Sequence, residues 1–127
     1  MNNPILRTTQ INVYDCVHPL MNDPKEMSIF LSKLVEFIGM TIIPEELIGQ
    51  KNPHSFPYKP ESKPVEDHGI SGSVILVESH VAAHSWCKNN FLNVVITSCK
   101  DYDAAITSMW VTRYCEANMF QYDSLKF

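Results

Sequence analysis

Polar and apolar residues alternate over Leu6–Tyr14, with Ile11 and Val13 two apart among polar neighbours, and this predicts a β-strand. A different period follows. Met27, Phe30, Leu31, Leu34, Val35 and Ile38 recur at spacings of three and four, which places one apolar stripe along a helix. Asp23 can cap that helix, Pro24 suits its first position, Glu26 stands where a capping box wants a carboxylate, and Gly39 can end it. Met40–Ile43 reads as a short strand returning from the helix. Ser71–Ser79 reads as another strand, and its run Val74–Val77 is apolar enough to expect burial on both faces. Val81–Trp86 and Leu92–Ser98 read as two more strands. Asp101 or Asp103 can cap a second helix over Ala104–Cys115, its stripe being Ala105, Met109 and Thr112 or Ile106, Met109 and Arg113. Met119–Leu125 closes the pattern as a strand.

Residues 44–69 break both periods. Pro44, Pro53, Pro57, Pro60 and Pro64 exclude a long helix or a central strand, so this insertion is expected as a lid or flap. The element order predicts a single α+β domain over residues 1–127, a two-layer sandwich with two helices on one face of a mostly antiparallel sheet. The other face then needs a cover. A homodimer or larger homo-oligomer supplies one.

Composition narrows the function classes. The chain has 127 residues, 45% hydrophobic and 19% charged, which fits one folded domain and not a disordered chain. Ten Lys and Arg against 14 Asp and Glu leave a net charge of −4, with no basic cluster to follow phosphates, so nucleic acid is not expected as a partner. No apolar run approaches the ~20 residues of a membrane helix, and Met1-Asn2-Asn3-Pro4 does not begin a secretory signal. A cytoplasmic protein is expected, with Cys16, Cys87, Cys99 and Cys115 as thiols and not as a disulfide framework.

Reactive side chains are densest between Gly69 and Trp86, with Cys99 at the end of the next strand. Zinc binding by His80, His84, Cys87 and Cys99 is one reading. In a strand, however, residues four apart stand ~13 Å from each other, too far to share an ion, so no metal is expected. Without catalysis the chain would be such a zinc-binding or interaction module.

The motifs are more specific than that. Gly69-Ile70-Ser71-Gly72, a hydrophobic strand, Glu78-Ser79-His80, His84, Trp86 and Cys99 follow one another at fixed spacing. Together they resemble the short prokaryotic type of S-adenosylmethionine decarboxylase, which carries a Gly-Val-Ser-Gly turn, Glu-Ser-His, a second His, Trp and a later Cys. Tyr14-Asp15-Cys16 and the first helix extend the resemblance over most of the chain outside the proline-rich insertion.

The resemblance implies a proenzyme that cuts itself between Glu78 and Ser79. Ser79 would attack the Glu78 carbonyl and end as a pyruvoyl group, the only cofactor implied. Ser71 would steady the acyl-shift intermediate and His84 would remove the Ser79 α-proton. The pyruvoyl ketone would then form a Schiff base with the substrate amine, and Cys99 would return a proton to the substrate α-carbon. S-adenosylmethionine is the implied substrate, giving the aminopropyl donor for spermidine synthesis. The pocket would involve Val65, Glu66, Asp67, Trp86 and Lys88. Two of these depart from the family: Val65 stands where an aromatic residue stacks on adenine, and Lys88 where an acidic residue meets the ribose. Phe56 or Tyr58 could replace the aromatic ring. Glu66 and Asp67 could instead receive the cation of arginine or ornithine, substrates of some relatives.

Overall fold

A computed structural model describes residues 3–58 and 68–127. Its six strands are β1 (Arg7–Tyr14), β2 (His54–Tyr58), β3 (Gly69–Leu76), β4 (Ser79–Trp86), β5 (Phe91–Ser98) and β6 (Met119–Lys126). The helices are α1 (Pro24–Phe37), the single turn α2 (Glu45–Ile48) and α3 (Ala104–Tyr114). The strands form one sheet in the order β2-β3-β4-β5-β1-β6, and every neighbouring pair is antiparallel. This is the α+β architecture expected from the element order.

The core lies between the sheet and the two long helices. Ile11 and Val13 of β1, Val74 and Leu76 of β3, Val81 and Ala83 of β4, and Leu92, Val94 and Ile96 of β5 point inward. The α1 stripe of Met27, Phe30, Leu31, Leu34 and Val35 lies on them, each large side chain contributing ~1.5–3 kcal/mol on burial. Asp23 caps α1 by accepting from the Lys25 amide, and Gly39 ends it at a φ of 72°. Gly72 lets the helix come close: a Cβ there would stand 2.9 Å from Met27 Cγ.

Several sequence expectations need correction. The expected strand Ser71–Ser79 divides at a two-residue turn, Val77–Glu78, so that Ser79 begins β4. Its apolar run is not buried on both faces. Val74 and Leu76 are inward, while Ile75 and Val77 are exposed, because the helices cover only one side. Met40–Ile43 contributes a bridge, Ile42 to Leu76, and no strand. Neither stripe proposed for the second helix faces the core except at Thr112. Thr107, Ser108, Val111 and Thr112 do, while Ile106 and Met109 are exposed. Ser108 and Thr112 can be buried because each hydroxyl donates to the carbonyl four residues earlier.

Residues 44–58 of the proline-rich insertion are built into the fold, and most of the remainder expected as a lid or flap, 59–67, lies outside the described residues. Asn52, nearly buried, donates to the carbonyls of Ile43 and Ile75 and accepts from the Ile75 amide. β2 then runs along the sheet edge, where Pro57 is tolerated.

Candidate active site

The β3–β4 hairpin carries the site residues at its two ends. At the turn end, Glu78 is left-handed with a φ of 66°, uncommon for a residue with a side chain. Ser79 follows directly, half-buried, and its hydroxyl donates to Ser98 Oγ at 3.0 Å. Ser98 is 1% exposed, and its oxygen also accepts from the Lys100 amide at 2.9 Å. Cys99 Sγ stands 3.5 Å from Glu78 Oε2. Lys100 Nζ donates to the Gly39 carbonyl and so ties this corner to the end of α1.

Cys99 and Lys100 line two adjoining depressions. One, of about 270 Å³, includes Met40, Thr41, Glu78 and Ser79. The other, of about 410 Å³, includes Arg7, Ser98 and Lys126. There is room for a small molecule beside the Glu78–Ser79 bond.

The second group lies on the face of the sheet away from the helices. Ser71 and His84 are register partners on β3 and β4, and Ser71 Oγ is 2.9 Å from His84 Nδ1. Phe56 pairs with Ser71 from β2 and shares its face, half-exposed, with Tyr58 two residues further along. On the other side of His84, aromatic rings continue through Trp86, Phe91 and Tyr14, with centroids 5.2–6.3 Å apart. Lys88 is exposed in the turn after β4.

The predicted catalytic residues are therefore divided. Ser79 and His84 are five residues apart on one strand, about 16 Å, and project to opposite faces. The structure brings Ser79, Glu78 and Cys99 together, and separately Ser71, His84 and Trp86. Val65, Glu66 and Asp67 lie outside the described residues. The zinc set is not gathered: His80 and His84 stand four apart on β4. Among the described residues, no three His, Cys, Asp or Glu side chains converge on a point.

The glycine-containing motif also has a different place from the expected turn. Gly69 and Gly72 are inside β3. A Cβ on Gly69 would stand 1.7 Å from the Ser85 carbonyl oxygen, so only glycine allows β3 to approach β4 here. Ser85, buried, completes this contact by accepting from the Ile70 amide and donating to the Met21 carbonyl.

All four cysteines are free thiols. Cys16 and Cys115 are buried side by side, and the hydrogen bond that Cys115 donates to Cys16, together with burial, holds the Cys115 thiol above its usual range. Cys87 donates to the Met21 carbonyl at 2.7 Å. These three have packing roles. Ser98 is the residue that sequence reasoning missed.

The family model for S-adenosylmethionine decarboxylase matches residues 7–126. The chain belongs to the S-adenosylmethionine decarboxylase family. An S-adenosylmethionine decarboxylase proenzyme of Prochlorococcus marinus (strain MIT 9313) is 28% identical over 91 residues, 72% of this chain and 61% of that relative. The matched segment thus spans less than two thirds of the relative's length. The crystal structure of the adenosylmethionine decarboxylase from Aquifex aeolicus vf5 superposes with a TM-score of 0.69. That match covers 98% of this chain and 91% of the other at 16% identity, a likeness of fold. Among the described residues, no helix of this family member is long and apolar enough to cross a membrane.

Proposed function

We propose that the chain is a self-processing decarboxylase acting on S-adenosylmethionine, with Ser79 as the source of its reactive carbonyl. The observation that carries this reading is the Glu78–Ser79 junction, in a chain whose family match runs from residue 7 to 126. The junction follows a tight turn, carries a left-handed residue and has a thiol beside it.

A pyruvoyl group fits this position, because its precursor serine opens a strand beside a depression and not inside the packed core. When formed, the group supplies a carbonyl that draws electrons from the substrate as carbon dioxide leaves. Ser79 Oγ first attacks the Glu78 carbonyl carbon. The C–O bond forms, the C–N bond breaks, and the hydroxyl proton passes to the Ser79 nitrogen. Removal of the Ser79 α-proton then frees the Glu78 carboxylate, and water replaces the nitrogen as ammonia departs. His84 is the base for that proton, and Ser71 orients its ring and steadies the developing oxyanion. Cys99 gives a proton to the substrate α-carbon in turnover. Phe56 and Trp86 offer ring faces for the adenine, in place of the aromatic residue that Val65 lacks. The product is the aminopropyl donor of spermidine synthesis.

The division of the site assigns a role to the sheet's open face. Two copies packed through that face, with their hairpins running in opposite directions, bring His84 of one copy to the turn end of the other's hairpin, where Ser79 begins β4. The functional unit is then a homodimer.

Intact mass under denaturing conditions tests the processing. Fragments 1–78 and 79–127, the second blocked at its N-terminus, are expected; a whole chain overturns the reading. Carbon dioxide release from S-adenosylmethionine, arginine and ornithine tests the substrate, with the first expected to dominate. Co-expression of Ser79→Ala and His84→Ala chains tests the shared site. Random pairing restores about a quarter of the sites if each is built from two copies, and none if each is built from one.

A further inference from the structure

We infer that Ser98 is a positioning residue for self-cleavage, holding the Ser79 hydroxyl so that its proton points away from the bond to be attacked. This rests on the reading of Ser79 as the processed residue. Ser98 follows the inward row Leu92, Val94 and Ile96 at alternate positions of β5, and it is the polar member of that row. It stands opposite Ser79, one step beyond the His80–Thr97 pair.

The hydrogen bonds define its task. Ser79 Oγ donates to Ser98 Oγ at 3.0 Å, and the Lys100 amide donates to the same oxygen at 2.9 Å. A serine oxygen has two acceptor lone pairs, and these two donors occupy both. Ser98 therefore presents a fixed acceptor, anchored through a backbone amide and shielded from water. With its proton committed to Ser98, the Ser79 oxygen keeps its own lone pairs for the Glu78 carbonyl carbon. The next residue of the chain, Cys99, approaches the Glu78 carboxylate. Consecutive residues at the end of β5 thus touch both sides of the junction, Ser98 the nucleophile and Cys99 the acyl side. No external reactant enters the acyl shift. A C–O bond replaces a C–N bond, and the hydroxyl proton finishes on nitrogen.

Ser98→Ala removes the acceptor, and Ser98→Thr keeps it. Ser98→Val matches threonine in shape without the hydroxyl, which separates the hydrogen bond from packing. Cutting is followed by intact mass over time after synthesis of the full chain, with thermal unfolding recorded for each variant. Loss of this alignment slows cutting about tenfold or more in Ser98→Ala, and in Ser98→Val relative to Ser98→Thr. Ser108→Ala, which deletes a buried hydroxyl of α3, cuts at the wild-type rate. Equal rates for the threonine and valine chains, or a wild-type rate for Ser98→Ala, overturn the inference while leaving the reading of Ser79 intact. A wild-type chain that never cuts overturns both.

Discussion

The two ends of the β3–β4 hairpin are made of similar residue types and are held in opposite ways. At the turn end, Ser79 is tied to a buried serine, and the adjoining cysteine is drawn to the left-handed Glu78. At the other end, Ser71 and His84 meet on the exposed face, among rings from β2, β4, β5 and β1. The first arrangement controls where one hydroxyl points. The second leaves an imidazole and a hydroxyl open to solvent on the face away from the helices, where the proposed role needs them to serve a reaction that is not beside them. A single chain thus holds Ser79 and His84, the proposed nucleophile and base, about 16 Å apart, too far for direct proton transfer.

The comparison breaks completely if Ser79 is dispensable. Ser79→Ala should abolish cutting, leaving one full-length mass; decarboxylation at the normal rate by that uncut chain would sink the division of roles. Gly69→Ala strikes the other end. A methyl group 1.7 Å from the Ser85 carbonyl forces β3 and β4 apart near Ser71 and His84, costing about 3 kcal/mol or more. Urea unfolding measures that cost, and an unchanged midpoint would show that the close approach is not needed. Cys99→Ala should separate processing from turnover. Cutting continues, while carbon dioxide release falls about a hundredfold for want of a proton donor. Equal losses in both would place Cys99 in the acyl shift instead.

The smallest effect concerns the support behind the turn end. Arg7, the register partner of Ser98, donates to the Tyr102 carbonyl, and the Tyr102 hydroxyl is bonded to Thr9 at 2.6 Å. Burial raises the Tyr102 pKa above its usual value. The protonated form is thus favoured in the folded chain. Its stabilisation is complete below about pH 10 and is lost as pH rises through the higher folded pKa. Tyr102→Phe should flatten the decline in stability that sets in above about pH 10. An equal slope in the variant would show that other groups control alkaline unfolding.

Most of the fold was legible because its signals are local. The α1 stripe, its Asp23 cap and its Gly39 stop each depend on spacings within a few residues, and each is found as expected. The α3 face was misread because hydrophobicity pointed to Ile106 and Met109. Beside Val111 the buried residues there are Thr107, Ser108 and Thr112, and the last two satisfy their hydroxyls within the helix. β2 was hidden among prolines, since an edge strand tolerates them and its pairing partner lies in β3. Ser98 left a signal that was not used: a lone hydroxyl ending an apolar inward row.

By itself, the sequence determined the class of elements, the capped first helix and the residue types at the Glu78–Ser79 junction, all matters of short-range spacing. The tertiary structure alone decided which of those residues meet. Register across β3, β4 and β5 sets Ser79 against Ser98 and Ser71 against His84. The two-residue period of a strand sends Ser79 and His84 to opposite faces, and that depends on where the turn falls and which face the helices cover.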